Sequence, residues 1–168
     1  MRKSVARLED GAAKAVGWAL AAIFGAIVAV GGLQVFNRFV FNISLSWSEE
    51  FQRFGQAWLV FLGVALAYSR GLHIGTKFFL ARLPLRVQRT VGFAIHATWL
   101  VVGIVFIVSG WRIMSVGARQ LSAGMEISMG YVYAVIVISG IYIMLLALSR
   151  LVRLSLDTTG ASDEVQPW

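Results

Sequence analysis

The residues best equipped for chemistry in this chain of 168 residues stand together in Ser46-Trp47-Ser48-Glu49-Glu50-Phe51-Gln52-Arg53. Two adjacent carboxylates could do acid–base work, which needs a positioned proton donor and acceptor. No nearby nucleophile or metal ligand accompanies them, so that chemistry lacks its other half. A structural use needs nothing more. Ser46 and Glu49 have the S-x-x-E spacing of a capping box, in which each side chain satisfies an orphan N–H at a helix start. Glu49 stands four residues before Arg53 and Glu50 three before it, both favourable pair spacings on a helix. The helix dipole favours carboxylates in the first turn. Trp47, Phe51, Phe54 and Trp58 then share one helical face. Ser46, Trp47, Glu49 and Arg53 are therefore expected to cap a helix and anchor it at an interface. Glu50, only partly explained in this way, is a candidate contact for a partner.

The remaining chemical candidates are sparse. The chain has two His and no Cys, which excludes disulfides, thiolate catalysis and Cys-ligated metals. A membrane haem would need axial ligands such as two His facing one pocket, and His73 and His96 are expected at different depths. His96 reads instead as a hydrogen-bonded residue between helices, and Gln34 and Gln56 as polar glue of the same kind. No catalytic residue, cofactor or metal site is expected.

The elements that must position these residues are four apolar runs, 15–36, 54–69, 90–111 and 127–149, none containing Asp, Glu, Lys or Arg. A bilayer core takes about 20 apolar helical residues to cross. Three runs meet that length, and the second meets it once the turn before it is included. In lipid every backbone N–H and C=O must be paired internally, so the runs are helices. The expectation is a single all-α membrane domain with spans at about 15–37, 47–69, 85–112 and 127–149. Residues 1–14 would form a cytoplasmic amino-terminal tail and 155–168 a disordered carboxy-terminal one. The apolar run at 15–36 is too long for a signal-peptide core and lacks its cleavage pattern, so it is expected to be retained. Leu72 to Leu83, too short to span, mixes apolar residues with Lys77 and Arg82 and reads as an interfacial segment. Pro84 fits the first turn of the next helix. Small residues at spacing four (Ala21, Gly25 and Ala29; Gly63 and Ala67; Gly130 and Ala134) would let helix backbones approach closely, within the chain or against a partner.

Charge sets the orientation. The net charge is +7, but the cations lie between spans, which points to membrane topology and not to nucleic acid. Eleven of the fifteen Lys and Arg residues fall in the amino-terminal tail, the middle connection and the carboxy-terminal segment. Both termini are therefore expected in the cytoplasm. Arg70, Lys77, Arg82, Arg86 and Arg89 would meet phospholipid headgroups there. Arg38, Arg112, Arg119 and Glu126, with Glu50, would face outward, where a protein partner could dock. No run carries a carboxylate, the common ion-binding group of coupled carriers. That weighs against transport by this chain alone.

Several stretches, taken in order, resemble the small membrane subunit, the Q or DctQ type, of the tripartite ATP-independent periplasmic (TRAP) transporters. They are Asn37-Arg38-Phe39, Ser46-Trp47-Ser48-Glu49-Glu50, Trp58-Leu59-Val60-Phe61-Leu62-Gly63, Arg70-Gly71-Leu72-His73-Ile74, Leu83-Pro84, Gln120-Leu121-Ser122 and Met129-Gly130-Tyr131-Val132-Tyr133. Together they extend roughly from residue 36 to residue 150. One departure is that Gly75-Thr76-Lys77 follows His73-Ile74, where the family often has Val-Asp. The resemblance implies a bacterial inner-membrane subunit that braces a large translocating subunit driven by a sodium gradient. It also implies a periplasmic substrate-binding protein that delivers a carboxylate or similar solute. A stand-alone transporter or channel and a membrane anchor of a redox enzyme are the alternatives. The first would move solute alone in liposomes, and the second would carry haem or bind quinone.

Overall fold

The protein, seen in a computed structural model, is described over residues 2–71 and 84–159, with side chains throughout except at 2–6, 8, 85–86 and 156–159. The interfacial segment 72–83 with His73, Lys77 and Arg82, the Arg86 side chain and residues 160–168 lie outside the described residues. Four long helices carry the fold: α1 (Arg2–Phe36), α2 (Ser46–Ser69), α3 (Leu85–Gly117) and α4 (Met129–Thr159). Three helical stretches, Glu9–Phe41, Val87–Gly117 and Met129–Ser155, are long and apolar enough to cross a membrane. The fold is therefore all-α with three helices of spanning character. α2 is 24 residues long, or about 36 Å at the usual helical rise, but its first two turns hold Glu49, Glu50 and Arg53.

Helix ends differ from the sequence expectation in ways that have local causes. The segment expected as a tail is already helical from Arg2, supported by the Asp10–Lys14 ion pair at 2.8 Å and spacing four. α1 ends in a π-helical turn, Asn37–Phe41, closed by Asn42 in the left-handed region at φ 55°. Asn tolerates that conformation better than most residues. Pro84 sits one position before α3 as its N-cap, with extended ψ 146°. α4 runs on to Thr159, so Arg150 and Arg153 are helical residues.

α3 and α4 form the closest pair, α2 packs on α4, and α1 packs on α2. The α3–α4 seam is built from glycines. A Cβ on Gly103 would lie 2.9 Å from the Met144 backbone nitrogen, and one on Gly140 2.9 Å from the Gly103 carbonyl oxygen. Gly110 meets Ile136 and Val137, and Gly117 lies under the Tyr133 ring. Without a hydrophobic drive between helices in lipid, such backbone contact is a main source of association. The spacing-four stripes behave differently. Gly25 and Gly63 have nothing within 4 Å of an added Cβ, while Gly130 alone of the stripe glycines is packed tightly, against Ala118. The seam runs at spacing seven, through Gly103, Gly110 and Gly117.

The buried core gathers Ala65 and Tyr68 of α2 with Ile143, Leu146 and Ala147 of α4, flanked by Trp99, Leu100, Phe106 and Tyr142. Phe61 and Phe106 meet edge to face at 5.5 Å. Most of α1 stays exposed, including Trp18, Phe24, Val28 and Leu33.

Candidate functional site

The antiparallel helices give the molecule two ends. At the tail end lie the start of α1, the end of α2, the start of α3 and the end of α4. At the loop end lie the π turn, the start of α2 and the connection 118–128 between α3 and α4. Polar side chains that bond across helices concentrate toward these ends.

At the tail end Arg150 donates from Nη1 to the Tyr68 carbonyl oxygen at 2.9 Å and from Nη2 to the Ser69 carbonyl oxygen at 2.6 Å. Its guanidinium also stands 4.6 Å from the Tyr68 ring centroid. Helices end with carbonyls that have no internal partner, and a planar guanidinium fork can serve two of them at once. Tyr68 is buried to 1% exposure, stacks on Trp99 at 4.6 Å, and its hydroxyl is hydrogen-bonded to His96 Nδ1 at 3.1 Å. His96 thus joins α2 to α3, as its sequence position suggests. Glu9 closes the same end. Its Oε1 accepts from Arg153 Nη2 at 2.9 Å and from the Ser149 hydroxyl at 2.8 Å, which ties α1 to α4. Of the cations expected to meet headgroups, Arg70 and Arg89 are exposed here.

Between the ends, Gln34 of α1 accepts from Gln52 of α2 at 2.7 Å. Gln56, also read as polar glue between helices, is exposed. Gln52 lies one turn nearer the loop end, which matches the depth of Gln34 near the end of α1.

At the loop end the capping box does not form. Leu45 is the N-cap and makes no side-chain cap bond, so Ser46 is already the first helical residue. A capping box needs its Ser one position earlier, outside the helix. The hydroxyl that turns inward is that of Ser48, which is fully buried and donates to the Leu45 carbonyl at 2.6 Å. Glu49 and Arg53 are exposed, and the ion pairs among the described residues do not join them. Trp47 is half-buried.

Glu50 departs most from expectation. Its Oε1 accepts from the Ala123 N–H at 3.1 Å and its Oε2 from the Met125 N–H at 3.0 Å. Both oxygens are engaged within the chain. The connection it grips is compact. Ser122 N–H donates to the Ile127 carbonyl at 2.9 Å, Met129 N–H to the Gln120 carbonyl at 2.9 Å, and Leu121 pairs with Ser128 as an antiparallel bridge. Gly124 lies against the clasp, where an added Cβ would sit 3.2 Å from the Ser46 carbonyl oxygen and 3.3 Å from the Glu50 carboxylate. Glu126 holds the turn at φ 53°. Arg38, Arg112, Arg119 and Glu126 are all exposed at this end. Arg112 and Gln120 border an open cleft of about 330 Å³ with Ile113, Val116, Gly117 and Tyr133. Among the described residues no three His, Asp or Glu gather as a metal-binding group.

The sequence pointed to Glu50 but could not show its backbone partners, because the clasp joins residues more than seventy apart. Arg150 escaped notice as one more basic residue after an apolar run. Its only signal was its place one residue beyond the charge-free stretch.

Comparison with known proteins fits this architecture. Residues 27–157 match the family described as "Tripartite ATP-independent periplasmic transporters, DctQ component". A Haemophilus influenzae protein assigned by its name to the TRAP transporter small permeases is 27% identical over 120 residues, 71% of this chain and 74% of its own length. The Vibrio cholerae C4-dicarboxylate TRAP transporter small permease protein DctQ is 26% identical over 55% of this chain, which spans 40% of that relative. The sialic acid TRAP transporter small permease protein SiaQ of the same organism is 28% identical over 54% of this chain and 52% of its own length. With the family match covering most of its length, the helical membrane chain belongs to the DctQ-component family, the small subunits of TRAP transporters.

Proposed function

We propose that the chain crosses the bacterial inner membrane four times, with both termini in the cytoplasm, and works as a non-catalytic brace. It would scaffold the large translocating subunit of a sodium-gradient-driven carrier and help dock the periplasmic substrate-binding protein. The carrier would import a carboxylate or similar small organic solute. The names of the two Vibrio relatives, a C4-dicarboxylate and a sialic acid permease, support that solute class, since both solutes are carboxylates. The observation that carries the orientation is the charge distribution. The tail end collects Arg7, Lys14, Arg70, Arg89, Arg150 and Arg153, whereas the loop end has Arg38, Arg53, Arg112 and Arg119. In this arrangement α2 crosses with its carboxylates at the outer surface, where water and loop backbone solvate them.

The orientation has a direct test, because the parent chain has no Cys. A single Cys at Ser44 or Gln120 should react with an impermeant thiol reagent added outside intact cells. A Cys at Ser162 should react only after the membrane is opened. The reverse pattern would turn the molecule over.

Docking follows from the exposed cations at the loop end. A soluble protein that must bind and leave repeatedly gains encounter rate from complementary charge. Reversing Arg112 and Arg119 to Glu together should raise the binding-protein concentration for half-maximal uptake by roughly tenfold. Uptake at saturating binding protein and the yield of assembled complex should be unchanged. Added salt should weaken parental docking by screening. An unaltered half-maximal concentration would leave these arginines as topological markers alone.

A further inference from the structure

The Glu50 clasp is larger than a helix start requires. A helix start leaves backbone N–H groups in need of acceptors, and a carboxylate in the first turn ordinarily serves its own helix. Glu50 turns away from that use, and both its oxygens take N–H groups of the connection 118–128 at 3.1 and 3.0 Å. An ionised carboxylate is an acceptor at both oxygens and has no donor, so it matches two backbone N–H groups without a mismatch. The two bonds hold a turn that also contains a left-handed Glu126. They leave Arg119 before the turn and Glu126 within it exposed. Gly124 gives the approach its closeness, since a side chain there would press on Ser46 and on Glu50 itself. The core of α2 and α4 lies elsewhere, around Ala65, Tyr68 and Ile143, and the α3–α4 pair is held by its own glycine seam. The clasp therefore orders the loop and is not what holds the helices together.

From this geometry we infer that Glu50 is a positioning residue, which fixes the connection 118–128 in the one shape that presents its charges to the docking protein. The inference rests on the docking reading above. It separates two roles that the sequence merged: the arginines meet the partner, and Glu50 never does.

Glu50→Gln in the full membrane complex tests it. An amide keeps one acceptor oxygen and places an NH2 where the second backbone N–H points, so half of the clasp becomes a donor–donor contact. A spin label at Gln120→Cys should report a more mobile loop. The binding-protein concentration for half-maximal uptake should rise several-fold, while the saturated rate and the yield of complex stay at parental values. Gly124→Val, which leaves Glu50 in place but crowds the clasp, should give the same pair of changes. An immobile loop in both variants, or a mobile loop with parental docking, would overturn the inference. Parental docking after reversal of Arg112 and Arg119 would instead overturn the docking reading, and the spin-label result would still tell whether Glu50 holds the loop.

Discussion

Gly103→Leu should remove nearly all folded subunit when the chain is produced alone, while Gly25→Leu should leave it at the parental level. Both are the same chemical change in a charge-free helical run. A Cβ at Gly103 falls 2.9 Å from the Met144 nitrogen, 3.1 Å from the Gly140 oxygen and 3.1 Å from the Met144 Cα, whereas at Gly25 it meets nothing within 4 Å. Overpacking costs about 1–3 kcal/mol when side chains can shift. Here the obstacle is backbone, so Gly103→Ala belongs near the top of that range and Leu beyond it. At Gly110 the nearest atoms are side-chain atoms of Ile136 and Val137, at 3.0 to 3.1 Å, and Gly110→Ala should cost nearer about 1 kcal/mol. The monodisperse fraction in detergent and the midpoint of thermal aggregation would rank the variants. Equal losses at Gly25 and Gly103 would contradict the seam.

The second large effect belongs to Arg150. Arg150→Ala should destabilise the isolated subunit by about 3 kcal/mol, since hydrogen bonds from a charged donor are each worth about 1.5–3 kcal/mol and do not add fully. The loss includes the Tyr68 and Ser69 carbonyls left without a donor at the end of α2. Arg150→Lys should recover less than half, because an ammonium keeps the charge but not the planar fork. Tyr68→Phe keeps both carbonyl bonds and loses the hydroxyl bond to His96, so it should cost about 0.6–1 kcal/mol. Chemical or thermal unfolding in detergent would measure all three. Full rescue by Lys would reduce Arg150 to a positive-inside charge.

What the sequence disclosed depended on the range of the interaction. Long charge-free runs specify helices through local backbone physics, and all four runs are helical apart from Ile127 and Ser128 at the start of the last. The basic asymmetry and the family motifs are likewise readable along the chain. The α3–α4 seam was harder to see, because a search at spacing four passes over glycines at spacing seven. A strictly seven-residue repeat keeps one edge of a helix toward its partner when the helices coil about each other. The capping box misled for a different reason. S-x-x-E describes the right chemistry for a helix start, but the helix began one residue early, with Ser46 already inside it and Ser48 turned inward. Glu9, Gln52 and Arg150 found partners on other helices, and one-dimensional spacing contains no term for such meetings.

α1 shows what such long-range ties accomplish mechanically. It has one broad neighbour, α2, and polar ties near its two extremities: Glu9 to Ser149 and Arg153, and Gln34 to Gln52. The twenty-five positions from Glu9 to Gln34 rise about 38 Å, close to the full thickness of a bilayer with its headgroup layers. Between these ties Ile23 and Ile27 lie over Gly55, and the Arg70 guanidinium lies close to Gly17. One tie would let a helix swivel about its axis or ride up and down. Two ties at opposite ends, to different helices, remove both freedoms, so α1 is a bar pinned at both ends and its wide outer face keeps a fixed height and azimuth.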